Sequence, residues 1–205
     1  MSLNRQHWDT VYRDKPAEKL SWRQAAPGPS LAALDRIGAS PANSLIDIGG
    51  GQSNLVDALL ARDWSDLTVL DIADVALAAT RIRLGDQAKS VQWIVADVTK
   101  WRPQRKYDLW HDRAVFHFLL TLDERDAYRA ALRGGLQPGG HAVFATFAPD
   151  GPERCSGLPV HRYAAAELAA EFGGEMKLDH EWREEHMTPA GSVQAFTWAV
   201  LRRSG

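Results

Sequence analysis

Leu45-Ile46-Asp47-Ile48-Gly49-Gly50-Gly51-Gln52-Ser53-Asn54-Leu55 runs an apolar strand straight into three glycines and out into a helix. Glycines at such a bend let the backbone turn tightly and let a ligand lie against main-chain N–H groups at a helix N-terminus. In an open α/β sheet the bend also borders the crevice where strand order reverses, the usual ligand site. The plainer reading is a tight strand-to-helix turn and nothing more. A dinucleotide fold would place glycine at the third position of G-x-G-x-x-G, where helix packs on strand, and here that position is Asn54.

Outward from this bend, short apolar runs alternate with helical patterns. Strands are predicted over 44–48, 67–72, 91–96, 107–112 and 141–147, with helices over 55–62, 75–84 and 123–136 between them. Such alternation builds parallel βαβ units, and near-continuous apolar runs such as Val143-Phe144-Ala145 fit strands covered on both faces. After a helix over 163–172, two further strands over 176–185 and 193–202 are joined through Thr188-Pro189-Ala190-Gly191. A parallel crossover needs a dozen or more residues, so these two must be antiparallel. Helices over 4–13 and 30–37, with Trp22 and Pro27-Gly28-Pro29 between them, are placed to cap the open end of the sheet. The predicted fold class is α/β: a doubly wound, mostly parallel seven-stranded sheet with a C-terminal antiparallel strand and helices on both faces.

The 205 residues, 45% hydrophobic and 24% charged, suit a single domain over 1–205, divided into a helical cap over 1–40 and a Rossmann-like core over 41–205. A formal charge of −2 gives no overall pull toward nucleic acid or an anionic membrane. The single cysteine, Cys155, closes no intramolecular disulfide and offers no thiol pair for a metal, which fits a reducing cytosol. The N-terminus has no apolar secretion core, and no run approaches the ~18 apolar residues that span a bilayer. The expectation is a cytoplasmic protein, monomer or homodimer, with no metal and no membrane partner.

The turn resembles motif I of the class I S-adenosylmethionine (SAM) methyltransferases, an acidic residue followed by G-x-G-x-G, with Asp47, Gly49 and Gly51 in place and Ser53 where a third glycine would stand. Asp71 closes the second strand, where a carboxylate can accept both ribose hydroxyls, and Asp97 ends the third and matches the family's adenine-contacting acid. A lone strand-end Asp is more often a turn or helix cap. Three at successive strand ends beside one glycine loop carry more weight. Tyr107-Asp108-Leu109-Trp110-His111-Asp112 and Leu136-Gln137-Pro138-Gly139-Gly140 extend the resemblance over residues 42–147. It implies SAM as cofactor, S-adenosylhomocysteine (SAH) as product, and a binding set of Asp47, Gly49, Gly50, Gly51, Ser53, Asp71, Ile72, Asp97, Val98 and Asp112. A weaker likeness links the chain to small bacterial members and, distantly, to protein lysine methyltransferases.

Parallel strands bring their carboxyl ends to one rim. There the candidate catalytic residues are Asp112, Arg113 and His117 after the fourth strand and His186 after the sixth, with a connection of ~13 residues around Cys155 between them. Each has a plain alternative: a surface or hydrogen-bonded histidine, or an arginine paired with Asp112 or Asp108. The first expectation is methyl transfer to a small nucleophile, with a thiol favoured because a nearby cation lowers its pKa. The alternatives are protein lysine methylation, with Trp110, Phe116 and Phe118 as walls, and a non-catalytic SAM sensor. A small-molecule acceptor ranks ahead of a protein. Nucleic-acid methylation ranks lower, because Asp112-Arg113-Ala114-Val115 replaces the Asn/Asp-Pro-Pro-aromatic signature.

Overall fold

Residues 5–205 are described by a computed structural model. Five parallel strands form its centre: β1 (Leu45–Ile48), β2 (Leu67–Asp71), β3 (Val91–Val95), β4 (Tyr107–Arg113) and β5 (Leu136–Phe147). Two more, β8 (Met176–Met187) and β9 (Val193–Arg203), complete a seven-stranded sheet of order β3-β2-β1-β4-β5-β9-β8. β9 runs antiparallel to both neighbours, as the short connection requires. The switch in strand order falls at β1, which pairs with β2 on one side and β4 on the other. The glycine bend leaves β1 at that point, so the crevice opens beside it.

Two apolar layers sandwich the sheet. On one face α1 (Arg5–Asp14), α2 (Gly28–Arg36), α3 (Leu55–Leu60) and α4 (Asp74–Leu84) contribute Trp8, Leu34, Leu59 and Leu77 to a core with Val143 and Trp198. On the other, α5 (Leu122–Gly135) and α6 (Ala165–Glu171) bring Tyr128, Leu132 and Leu168 against Ile46, Trp110 and Phe144. Leu122 opens α5 because Thr121 and Glu124 form a reciprocal capping box there.

Most element ends fall within two residues of the sequence expectation, with two larger differences. β5 begins at Leu136 rather than 141, because Leu136 already pairs with Tyr107 and the Pro138-Gly139-Gly140 turn is absorbed as a register shift. A Cβ on Gly140 would lie 2.7 Å from the Asp108 carbonyl, so the strands approach only with glycine there. The connection over 148–161 is not structureless: β6 (Arg154–Cys155) and β7 (Leu158–Pro159) make a small antiparallel hairpin. The first helix starts within the described residues at Arg5, and the expected start at residue 4 lies outside them.

Candidate active site

The bend owes its shape to missing side chains. Gly49 sits at φ +69°, where a Cβ would collide with Val115, and a Cβ on Gly50 would lie 2.6 Å from both Asp47 Oδ2 and Val69 Cγ1. A Cβ on Gly51 would lie 2.7 Å from the Tyr12 hydroxyl and 2.8 Å from Asp71 Oδ2. The amides of Gly49, Gly50 and Ser53 are paired within the protein, which narrows the expected cradle of N–H groups. Gly49 and Gly50 donate to the Leu70 carbonyl at 2.7 and 3.3 Å, and Ser53 donates to Gly50 at 2.7 Å. At Gly49 and Gly50 the bend therefore supplies close approach rather than donors. Ser53 Oγ accepts from the amide of Leu55, the first residue of α3, at 3.0 Å.

Asp71 is buried at the end of β2, where its carboxylate accepts from the backbone N–H groups of Ala73, Gly51 and Ile72. Burial pushes it up to about 7, with the Asp47 charge adding to the rise and the backbone donors opposing it. Asp97 is less free than the resemblance implied. Its Oδ1 accepts from the Thr99 amide and hydroxyl at 3.0 and 2.7 Å, and Oδ2 lies 3.3 Å from Lys100 Nζ. The turn-forming reading of a strand-end Asp describes Oδ1, whereas Oδ2 is buried without a hydrogen-bond partner and the neighbours Ala96 and Val98 face the cavity.

That cavity opens between the bend and the N-terminal segment. Asp71, Ile72 and Val98 line one end; Gly49 stands in the middle; Arg113, Phe118 and Cys155 line the other. Trp8, Tyr12 and Trp22 cover it, and the Trp8 ring meets Phe118 edge-on at 5.1 Å. A second, more polar cavity on the far side of Gly49 is lined by Asp47, Gly50, Ser53, Arg23, His111 and, again, Arg113. Asn54 closes this arrangement by donating to the Gln24 and Ala25 carbonyls at 3.2 and 3.1 Å. The position that a dinucleotide fold reserves for glycine is here a tether to the cap.

Along β4 side chains alternate faces, and this sorts the remaining candidates. Arg113 and His111 face the cap; Asp112, between them, faces the opposite core. Asp112 is thus not brought to the cavity: its oxygens accept from the Tyr128 hydroxyl at 2.5 Å and from the Val115 and Phe116 amides at 2.9 and 3.3 Å. Burial lifts it to about 6. His117 is also withdrawn. Fully buried against Phe118 and Phe147, it accepts from the Phe147 amide at 3.4 Å, and burial with Arg113 nearby drives it down to about 3. His186 donates from Nε2 to the Ser21 carbonyl at 2.8 Å, a strap between β8 and the cap rather than a base at the cavity. Of the four catalytic candidates only Arg113 lines it.

The sequence reading missed one buried network. Asp47 Oδ1 lies 2.7 Å from His111 Nδ1, and His111 Nε2 lies 3.0 Å from Ser30 Oγ on α2. The register of β1 on β4 sets Asp47 beside His111, so the signal was in the pairing of two strands and not in either motif. Cys155, whose thiol burial pushes up to about 11, reaches the cavity wall only because β6 and β7 fold back. No group of three or more His, Cys, Asp or Glu side chains among the described residues is placed to hold a metal.

An apolar slot at Ile72 and Val98, a carboxylate at Asp71 and a side-chain-free bend at Gly49–Gly51 suit a purine, a ribose diol and the sulfur-bearing chain of SAM. These features, with the β3-β2-β1-β4-β5-β9-β8 order, define the class I, Rossmann-like methyltransferase fold. Residues 46–142 match the family model described as a methyltransferase domain. Over 112 residues the chain is 28% identical to malonyl-[acyl-carrier protein] O-methyltransferase 2 of Ilyobacter polytropus, covering 52% of this chain and 40% of that protein. It is 36% identical over 99 residues to nodulation protein S of Rhizobium fredii, covering 47% of this chain and 54% of that one. The chain thus spans about half the length, or less, of the curated relatives it matches. Among solved structures, the N-methyltransferase NodS of Bradyrhizobium japonicum in complex with SAH superposes with TM-score 0.71 at 16% identity, covering 98% of this chain and all (100%) of that one.

Proposed function

We propose that this chain is a SAM-dependent methyltransferase that acts on a small nucleophilic acceptor. The observation that carries the reading is the single cavity joining Asp71 and Val98 at one end to Arg113 and Phe118 at the other, across Gly49. SAM brings an already activated methyl group, which passes to a nucleophile approaching in line with the sulfur. Asp71, in its ionised form, holds the ribose hydroxyls; Ile72 and Val98 pack the adenine; the bare backbone of Gly49 lets the cofactor chain lie flat. Trp8, Tyr12 and Trp22 cover the site and exclude water, which strengthens every electrostatic contact inside.

The acceptor's proton must leave without His117 or His186, neither of which lines the cavity. That suits an acceptor able to ionise near neutrality, and a thiol beside the Arg113 charge fits best. A lysine ammonium would share the cavity with the buried guanidinium, and like charges there raise the cost of binding. The lysine alternative therefore ranks second and the sensor third. Incubation with methyl-labelled SAM and a panel of thiols, amines and carboxylates is the test. Labelled small-molecule product is expected. Label appearing only on protein in a lysate would favour lysine, and SAH binding without any transfer would favour a sensor.

A further inference from the structure

Arg113 presents an empty fork. Its Nη1 donates to the Trp22 carbonyl at 2.8 Å, whereas Nε and Nη2 are buried and have no hydrogen-bond partner. Those two N–H groups share one edge of the planar guanidinium and point the same way, the geometry that takes both oxygens of a carboxylate. Nearby acids do not fill it. Glu184 accepts from Gln24 and Trp198, and Asp47 is joined to His111. Below the guanidinium lies the Phe196 ring, 4.8 Å away, an apolar face that satisfies neither donor by hydrogen bonding. A buried donor left bare is costly, and more so for a charged group. An enclosed ligand that fills the fork removes that cost.

Resting on the methyltransferase reading above, we propose that the acceptor carries a carboxylate, or another planar oxyanion, which Arg113 takes through Nε and Nη2. The rest of the acceptor then lies against Trp8, Trp22 and Phe118, so the substrate class is a flat or aromatic acid bearing its nucleophile beside the carboxylate. SAM has a carboxylate of its own. A second cation, Arg23, stands in the polar cavity next to Gly49 and Gly50, where the amino-acid end of the cofactor would extend. Arg113 lines both cavities, whereas Arg23 lines only the polar one and is the cation assigned to the cofactor's carboxylate.

Benzoate and benzamide are the probes, since they share a ring and differ in charge. Each is titrated calorimetrically into the protein alone and into the protein saturated with SAH. Benzoate is expected to bind the SAH complex at least tenfold more tightly than benzamide. In Arg113→Gln that preference is expected to vanish; Arg113→Lys, which keeps charge but not the fork, should retain only part of it. Equal binding of the two probes to the wild-type SAH complex, or no binding of either, overturns the proposal without any variant having to fold. A tenfold loss of SAH affinity in Arg113→Gln, with benzoate binding unchanged, assigns the fork to the cofactor and overturns it too. Failure of the wild-type protein to take SAH instead sinks the methyltransferase reading, and the titrations without SAH still report whether Arg113 selects an anion.

Discussion

Asp71 holds three backbone N–H groups on a carboxylate that burial lifts to about 7, so its charge changes near neutrality. The ribose hydroxyls are better accepted by the ionised form. SAH affinity is therefore expected to rise as pH rises through about 7 and to level off above it, followed by calorimetry. A flat profile would remove Asp71 from the site. Asp71→Asn should abolish the dependence and weaken SAH roughly tenfold to a hundredfold, or ~1.4–2.8 kcal/mol. For folding of the free protein the sign is reversed. The folded value lies above the ordinary 3.8, so the native state binds the extra proton and stability falls as pH rises from about 4 to about 7. His117 acts oppositely. Its folded value, about 3, lies below the ordinary 6.5, so the stability it confers is complete above about 6.5 and is lost as pH falls toward 3. Denaturant unfolding at a series of pH values should show that slope shallower by one proton in His117→Gln. An unchanged slope would mean that His117 is not buried neutral.

The elements around the site divide into a rigid sheet and a cap held by few bonds. Asn54 to the carbonyls of Gln24 and Ala25, Arg113 to Trp22 and His186 to Ser21 fasten residues 20–25 to the sheet edge. Each bond runs from a side chain on the core to cap backbone, so the cap can loosen without breaking a strand ladder. Asn54→Ala is expected to speed amide exchange over residues 20–27, leave β1, β4 and β5 unchanged, and raise the SAH dissociation constant a few fold. Uniform acceleration across the sheet would show that Asn54 supports the whole fold instead. The same elements explain why the rim was only partly legible. Asp112 and Arg113 are neighbours in sequence and both look functional there, but successive residues of a strand face opposite sides. One goes to Tyr128 under α5 and the other to the cavity under the cap.

Across the whole molecule, β9 is the strand that joins the two ends of the chain's construction. It pairs with β5 from His141↔Arg202 to Phe147↔Phe196 and carries β8 on its other side. Trp198 on β9 is fully buried, stacks on Trp182 of β8 at 5.3 Å and donates to Glu184 at 2.6 Å. Deleting residues 193–205 would strip β5 of its antiparallel partner and expose a long apolar edge, so the shortened chain is expected to aggregate rather than yield a stable domain. A soluble, cooperatively unfolding product by circular dichroism would contradict this. Trp198→Ala is the milder form, with a loss of about 3–5 kcal/mol expected from the cavity it leaves. No described helix is long and apolar enough to cross a membrane.

Local patterns settled the strand and helix order, the antiparallel ending and the glycine bend, because each follows from periodicity or from backbone freedom within a few residues. Only the folded chain decided which charged groups reach the cavity. Burial and pairing come from residues far away in sequence: Tyr128 takes Asp112, Phe147 encloses His117, Ser21 ties down His186, and Arg113 alone of the four remains at the cavity with two donors unpaired. Side-chain roles depend on those distant partners, and no spacing along the chain encodes them.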